Sequence, residues 1–305
     1  MILSDLTDID FRNRIRGSGL VICSGPFKFR IVSPIESVAR GLRLLYADYP
    51  LGDSGDFVDF NVAIERTAGI RRWWRPQANF SFNGIRPFLP LPLGHAYPLL
   101  EWAMNWCIST QVNHYLMLHA AVIERGGCAM IMPAPPGSGK STLCAGLISR
   151  GWRLLSDEMA LISLTDRMIT PLGRPISLKN QSIDIIKSFE PDAIFNEVTH
   201  DTLKGSVSHM KMPALQLQRM GEKAKPCWIV FPQYVPNANA ELTGRSKANS
   251  TLELAKNSFN YMVLGLTGFE ILTDAVAQCE CYDFRYANLE DAVAVFDKLV
   301  EARQA

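Results

Sequence analysis

One stretch restricts the fold of this 305-residue chain more than any other: Ala134-Pro135-Pro136-Gly137-Ser138-Gly139-Lys140-Ser141-Thr142. An apolar run, Cys128-Ala129-Met130-Ile131-Met132, precedes it and reads as a buried strand. Behind it Leu143, Leu147 and Ile148 recur with helical spacing, and Gly151 stands where a helix C-cap glycine belongs. Strand, glycine-rich loop, Lys-Ser and helix, in that order, are the pattern of a phosphate-binding P-loop. The chemistry needs these residue types. Gly137 and Gly139 let backbone N–H groups turn inward around phosphate oxygens. The helix N-terminus adds partial positive charge. Lys140 neutralises the outer phosphates, and the Ser141 hydroxyl can ligate Mg²⁺. Ala134 replaces the usual first glycine, which the backbone accepts while φ stays negative. All nine residues from Ala134 to Thr142 are expected to hold nucleotide phosphates, with ATP and Mg²⁺ as the expected ligands.

A phosphate loop is only half of a transfer site; a carboxylate must hold the metal or orient the attacking group. Asp157-Glu158 follows the run Trp152–Ser156, seventeen residues past Lys140. In a parallel sheet such a strand end faces the same crevice as the loop. The acidic pair is therefore expected beside the γ-phosphate, with Asp157, Glu158 and Ser141 as metal ligands. His119 opens the strand that leads into the P-loop strand, and could tune an acidic partner there. A histidine at a strand start is more often structural. Lys179 ends an apolar run, and its spacing fits a second phosphate contact and a surface lysine equally. His209 has only its place in the polar 190–213 stretch to recommend it. His95 and His114 have no context that points to chemistry.

Composition limits the alternatives. Hydrophobic residues make up 48% and charged residues 20%, enough apolar content for a full core and not a disordered chain. The net charge of +1 gives no argument for nucleic acid as a partner. Arg71-Arg72-Trp73-Trp74-Arg75 interleaves arginine with tryptophan, but reads as a strand with solvated arginines before a single-strand binding platform. The seven cysteines, at 23, 107, 128, 144, 227, 279 and 281, are odd in number and include no C-x-x-C. That fits reduced cysteine, and Cys279-x-Cys281 alone makes no zinc site. No signal peptide is apparent, and no apolar run approaches the roughly 20 residues of a membrane span. A cytoplasmic protein without a membrane span is the expectation; a homo-oligomer stays open.

In chain order, two strands around Ser24-Gly25-Pro26 are expected to form a hairpin after a loosely held N-terminus. Ser33-Pro34-Ile35-Glu36 reads as a capping box opening a helix to about Leu45. Further strands are expected over 57–66, 70–75 and 78–82, then a proline-rich connector over 87–92 and a helix over 96–114. The later chain alternates strands and helices. Cys227–Phe231 reads as a central strand ended by Pro232, and Ser250-Thr251-Leu252-Glu253 as a second capping box. Residues 190–213 read as a long loop, of the length that is usually functional or mobile. The expected architecture is α/β: a P-loop kinase domain at 116–305, with a central sheet flanked by helices, preceded by a small α+β module at 1–115.

From His119 to Ile162 the chain resembles the catalytic domain of the HPr kinase/phosphorylase family. More closely, it is similar to the HPr-kinase-related "kinase A" proteins of exosortase and exopolysaccharide systems. The residues that carry the resemblance are Leu118-His119-Ala120-Ala121, Pro136–Thr142, Ser156-Asp157-Glu158 and Arg174-Pro175-Ile176-Ser177-Leu178-Lys179. The resemblance implies ATP-dependent phosphorylation of a hydroxyl, usually serine of a protein or peptide. It implies Asp157 as catalytic base, Glu158 as the acid that assists Mg²⁺, and His119 as support for the base, alongside Lys140. Apart from the resemblance, Arg174, Lys179 and His209 stand as candidates for substrate or phosphate contacts. The chain departs from the family at Ala134, Pro136, Thr142 and Glu158, where the family has glycine, serine, glutamate and aspartate. A small-molecule kinase and a nucleotide-binding regulator without kinase activity remain as alternatives; the regulator would move a loop such as 190–213.

Overall fold

The computed structural model describes residues 1–53, 55–69, 74–135 and 137–304. The Arg71–Arg75 cluster, the strand expected over 70–75 and the loop residue Pro136 therefore lie wholly or partly outside the described residues. The fold is mixed α/β, and the chain separates into two compact units. The first comprises Met1–Gln111 and Ile194–Leu217, and the second Val112–Ala193 and Gln218–Ala305. The boundary expected after residue 115 thus falls at 111/112, and 194–217 belongs with the first unit.

In the first unit, helix α1 (Asp8–Arg16) is capped by the Thr7 side chain, which accepts the Asp10 N–H, and buries Phe11 and Ile15. The N-terminus is therefore structured, against the expectation of a loose segment. Strands β1 (Leu20–Ser24) and β2 (Phe27–Val32) form the expected hairpin. Helix α2 (Glu36–Leu45) starts from Ile35, not from a Ser33 capping box. Ser33 Oγ instead accepts the Ile35 N–H and donates to the Ile64 carbonyl on β3 (Phe60–Arg66). Strands β4 (Gln77–Phe82) and β5 (Leu91–Pro92) complete a five-stranded sheet in the order β1-β2-β3-β4-β5. Helix α3 (Ala96–Gln111) follows, buried along most of its length.

The second unit carries a mixed sheet built on β6 (Tyr115–Arg125) and β7 (Cys128–Pro133), an antiparallel pair. Its further strands are β8 (Arg153–Ser156), β9 (Met159–Ser163) and β10 (Ile169–Thr170). Helix α4 (Lys140–Ile148) joins β7 to β8, and β11 (Ile176–Lys179) precedes helix α5 (Gln181–Phe189). Within the first unit's second segment lie β12 (Thr199–Thr202), β13 (Gly205–Met210) and helix α6 (Ala214–Leu217). The expected 190–213 loop thus carries two strands, with turns and irregular backbone making up the rest. Its strands escaped notice because Thr, His, Asp and Ser alternate there with few apolar residues.

The second unit closes with β14 (Lys225–Tyr234), β15 (Glu241–Gly244), helices α7 (Lys247–Lys256), α8 (Tyr261–Leu264) and α9 (Leu266–Gln278), β16 (Glu280–Tyr286) and helix α10 (Leu289–Gln304). Its sheet runs β10-β9-β6-β7-β14-β16-β15, with β8 also on β6. Parallel pairing in this sheet is confined to β7–β14 and β14–β16; every other pairing is antiparallel. The sheet is therefore mixed, where a parallel one was expected around the loop. β14 does not end at Pro232: that residue pairs with Phe284 and the strand continues to Tyr234. β7 is buried from Ala129 to Pro133, as a strand covered on both faces must be. Ser246, not Ser250, caps α7 through the Asn249 N–H, and Asn288 Oδ1 accepts N–H groups at the start of α10 as expected. No helix among the described residues is long and apolar enough to cross a membrane.

Candidate active site

The loop leaves the sheet at Pro133, which lies opposite Ala120 on β6. The other edge of β6 is shared by β8 and β9, both antiparallel to it. Val122 pairs with Ser156 and His119 with Met159. Asp157-Glu158 therefore sits between two strands that follow β6 in one register, across from Ala121 and Ala120. The pair follows the end of β8 and breaks the edge between β8 and β9, in a mixed and not a parallel sheet. Ser156 Oγ accepts the N–H of Met159 at 3.0 Å and of Glu158 at 3.4 Å. This short side-chain turn takes up donors that the ladder would otherwise use. The acidic pair is thereby set at the level where loop 134–142 emerges.

Within the loop, Gly137 and Gly139 both have φ of 87°, the left-handed region that glycine reaches without strain. Ala134 is buried and is not among the positive-φ residues, so the missing glycine imposes no backbone penalty. Gly139 forms the N-cap of α4, and two tyrosines anchor it. Tyr286 Oη donates to the Gly139 carbonyl at 2.9 Å, and the Tyr234 N–H donates to the Ser138 carbonyl at 3.0 Å. A Cβ at Gly139 would stand 2.4 Å from Tyr286 Oη. These tyrosines lie at the C-terminal ends of β14 and β16, the strands parallel to β7. Sequence reasoning missed them; the one available signal was that parallel strand ends share a crevice.

Lys140 is buried at 9% exposure. Burial lowers its pKa, while Glu158 and then Asp157 raise it. Asp157 is pushed up to about 6, chiefly by burial and next by the charge of Glu158. The Ser177 N–H, donating to Asp157 Oδ2 at 2.9 Å, opposes that rise, as do Arg174 and Lys140. His119 is lowered by burial and by Lys140, against the charge and backbone of Glu158, with Lys179 adding to the lowering. Lys140, Asp157, Glu158, His119, Arg174 and Lys179 thus form one electrostatic cluster. Ser141 and Thr142 are half-buried on the first turn of α4. Pro135 and Gly137 are exposed on the loop.

His209 does not join this cluster. It is a core residue of the first unit, its ring edge-on to Tyr97 at 5.4 Å. A histidine in a polar stretch looked available because β13, which buries it, was not visible in the sequence.

Ser138 Oγ, Ser177 Oγ and His119 Nδ1 are buried without a hydrogen-bond partner among the described residues. Such atoms are few in folded proteins, and these belong to the loop, to the neighbour of Asp157 and to the histidine beside Glu158. Polar ligand atoms would satisfy them. Asp157, Glu158 and the Ser141 hydroxyl offer the hard oxygen donors that suit Mg²⁺, which otherwise keeps water and phosphate ligands. The described residues include no group of three or more His, Cys, Asp or Glu able to hold a metal by themselves, and all seven cysteines are free thiols.

No protein-family model matches the chain. No curated protein matches it either. Among solved structures it is similar to the Hpr(Ser) kinase/phosphatase from Coxiella burnetii, at 11% identity and a TM-score of 0.29, over 62% of this chain and 96% of that one. So slight a likeness leaves function to be judged from the site.

Proposed function

We propose that this chain is an ATP-dependent phosphotransferase that moves the γ-phosphoryl group to a hydroxyl, most simply a serine of a protein or peptide. One observation carries the reading: the Asp157-Glu158 break lies at the level where a glycine loop leaves the adjacent strand, with Lys140 between loop and acids. The N–H groups of loop 134–142 and the Lys140 ammonium bind the phosphates. Ser141 and Glu158 would hold Mg²⁺, which supplies charge neutralisation for the group in transfer. Asp157 orients the acceptor hydroxyl and takes its proton as the oxygen bonds to the γ-phosphorus and the bond to the β,γ-bridging oxygen breaks, releasing ADP. A carboxyl raised to about 6 is a stronger base than an ordinary aspartate and is still ionised at neutral pH. His119 packs against Glu158 and holds the pair in place. Arg174 and Lys179 add positive charge around the base. The resemblance of 119–162 to HPr-kinase-related proteins points to serine as acceptor.

Calorimetric titration with Mg-ATP tests this reading. Lys140→Ala should lose at least tenfold in affinity, while Asp157→Asn retains binding. Equal affinity in wild type and Lys140→Ala would remove the loop from the nucleotide site.

A further inference from the structure

The segment after α7 adds a wall to this site. The Asn257 carbonyl accepts the His119 N–H at 2.6 Å, the Phe259 N–H donates to Met117, and Asn260 Oδ1 accepts the Met117 N–H at 2.9 Å. The Phe259 ring then stands edge-on to His119 at 5.7 Å. From Phe259 the chain runs through α8 into α9 with no charged residue until Glu270. Along it Phe259, Met262, Val263, Leu266 and Phe269 are exposed by 43, 86, 71, 72 and 48%. Scattered exposed hydrophobics are ordinary, but five within eleven residues form the kind of patch that marks an interaction site.

We infer that this apolar face docks the phosphoryl acceptor, and that the acceptor is a polypeptide with apolar residues flanking its phosphorylated hydroxyl. The inference rests on the phosphotransferase reading above and names its substrate class. Continuity decides the occupant: the patch begins on the ring that touches His119, so a chain presenting its hydroxyl to Asp157 runs onto it. The charges around the face argue against a lipid surface. Glu253 pairs with Lys256, Asp274 pairs with Arg167, and Glu270 adds a negative charge, the wrong sign for anionic lipid. Five side chains also fall short of the roughly 20–30 residues a side of a stable protein interface. That extent suits transient substrate contact better than a permanent second copy.

The test uses the full-length protein, its Met262→Glu/Leu266→Glu variant, γ-labelled Mg-ATP and synthetic serine peptides with apolar or with polar flanks. Both substituted side chains are exposed, so thermal unfolding and calorimetric ATP affinity should match wild type. The expected result is a KM at least tenfold lower for apolar-flanked peptides in wild type, and loss of that advantage in the variant. Peptides labelled without flank preference, or a preference that survives in the variant, would overturn the docking inference and leave the phosphotransferase reading standing. If no peptide is labelled although ATP binds, the docking inference falls, and label transfer in cell extract decides the phosphotransferase reading separately. Two controls use the same variant: a wild-type dimer that it dissociates in sedimentation, or wild-type binding to phosphatidylglycerol vesicles that it abolishes, would give the face to another occupant and overturn the inference.

Discussion

At the scale of single residues, the site holds two charges the fold does not welcome: Lys140 and Asp157 both pay for burial in shifted pKa values. Folding raises the Asp157 pKa from 3.8 to about 6, so the folded state holds that proton more tightly than the unfolded chain. Ionising it therefore costs stability as pH rises through that window, and the full cost persists above it. Asp157→Asn keeps an oxygen for the Ser177 N–H and removes the charge. It should raise stability at pH 8 by about 1–2 kcal/mol, with the gain vanishing below about pH 4. Denaturant titrations of both proteins without ligand at the two pH values check this; a gain of equal size at both would contradict it. Gly139 gives a second prediction. Gly139→Ala meets Tyr286 Oη and a positive φ, and should cost about 1–3 kcal/mol. In a Tyr286→Phe background the cost should shrink, because the blocking oxygen is gone. A double-mutant cycle showing strict additivity would separate the tyrosine from the loop.

At the scale of elements, β6 organises the second unit by carrying β7 on one edge and the β8–β9 pair on the other. The Glu124 carboxylate on β6 and the Arg153 guanidinium on β8, 2.5 Å apart, are both nearly inaccessible to solvent. Arg153 also donates to the carbonyls of Arg219 and Glu222. Arg153→Met would remove the nearer cation from a buried carboxylate, leaving it Arg219 at 3.7 Å and the Gly127 N–H, and should cost up to about 3–5 kcal/mol. Glu124→Gln/Arg153→Met should recover part of that loss, which chemical unfolding of the three proteins can measure. The strand, loop and helix around Lys140 were legible in the sequence because each signal is local: an apolar run, two glycines, then apolar spacing of a helix. The order of strands was not, since β6 comes between β7 and β8 only through long-range pairing. Asp157 and Glu158 stand out as candidates in the sequence by their place after α4, but the Ser156 turn that sets them in mid-edge depends on that same pairing. Ser250 looked like a cap because a glutamate follows three residues later; Ser246, four residues earlier, captured the role. Tyr234 and Tyr286 had no local pattern to mark them as partners of a loop about a hundred residues or more away.

At the scale of the whole molecule, the first unit is discontinuous in sequence. Lys211 pairs with Asp48 at 2.7 Å, and His209 covers the Tyr97 ring, so residues 194–217 complete the unit's interior. A fragment of residues 1–115 lacks both partners and should unfold without a sharp transition, whereas the full chain unfolds cooperatively; calorimetry distinguishes them. A cooperative transition in the fragment would make 194–217 an accessory. The central claim is that loop 134–142 and Asp157 together transfer phosphate to a hydroxyl. It is tested most directly by single-turnover label transfer from γ-labelled Mg-ATP to protein and peptide hydroxyls in cell extract, comparing wild type with Asp157→Asn at saturating ATP. Loss of the positioned base should slow transfer roughly 10²-fold or more with nucleotide binding intact. Transfer by Asp157→Asn at the wild-type rate would contradict the account.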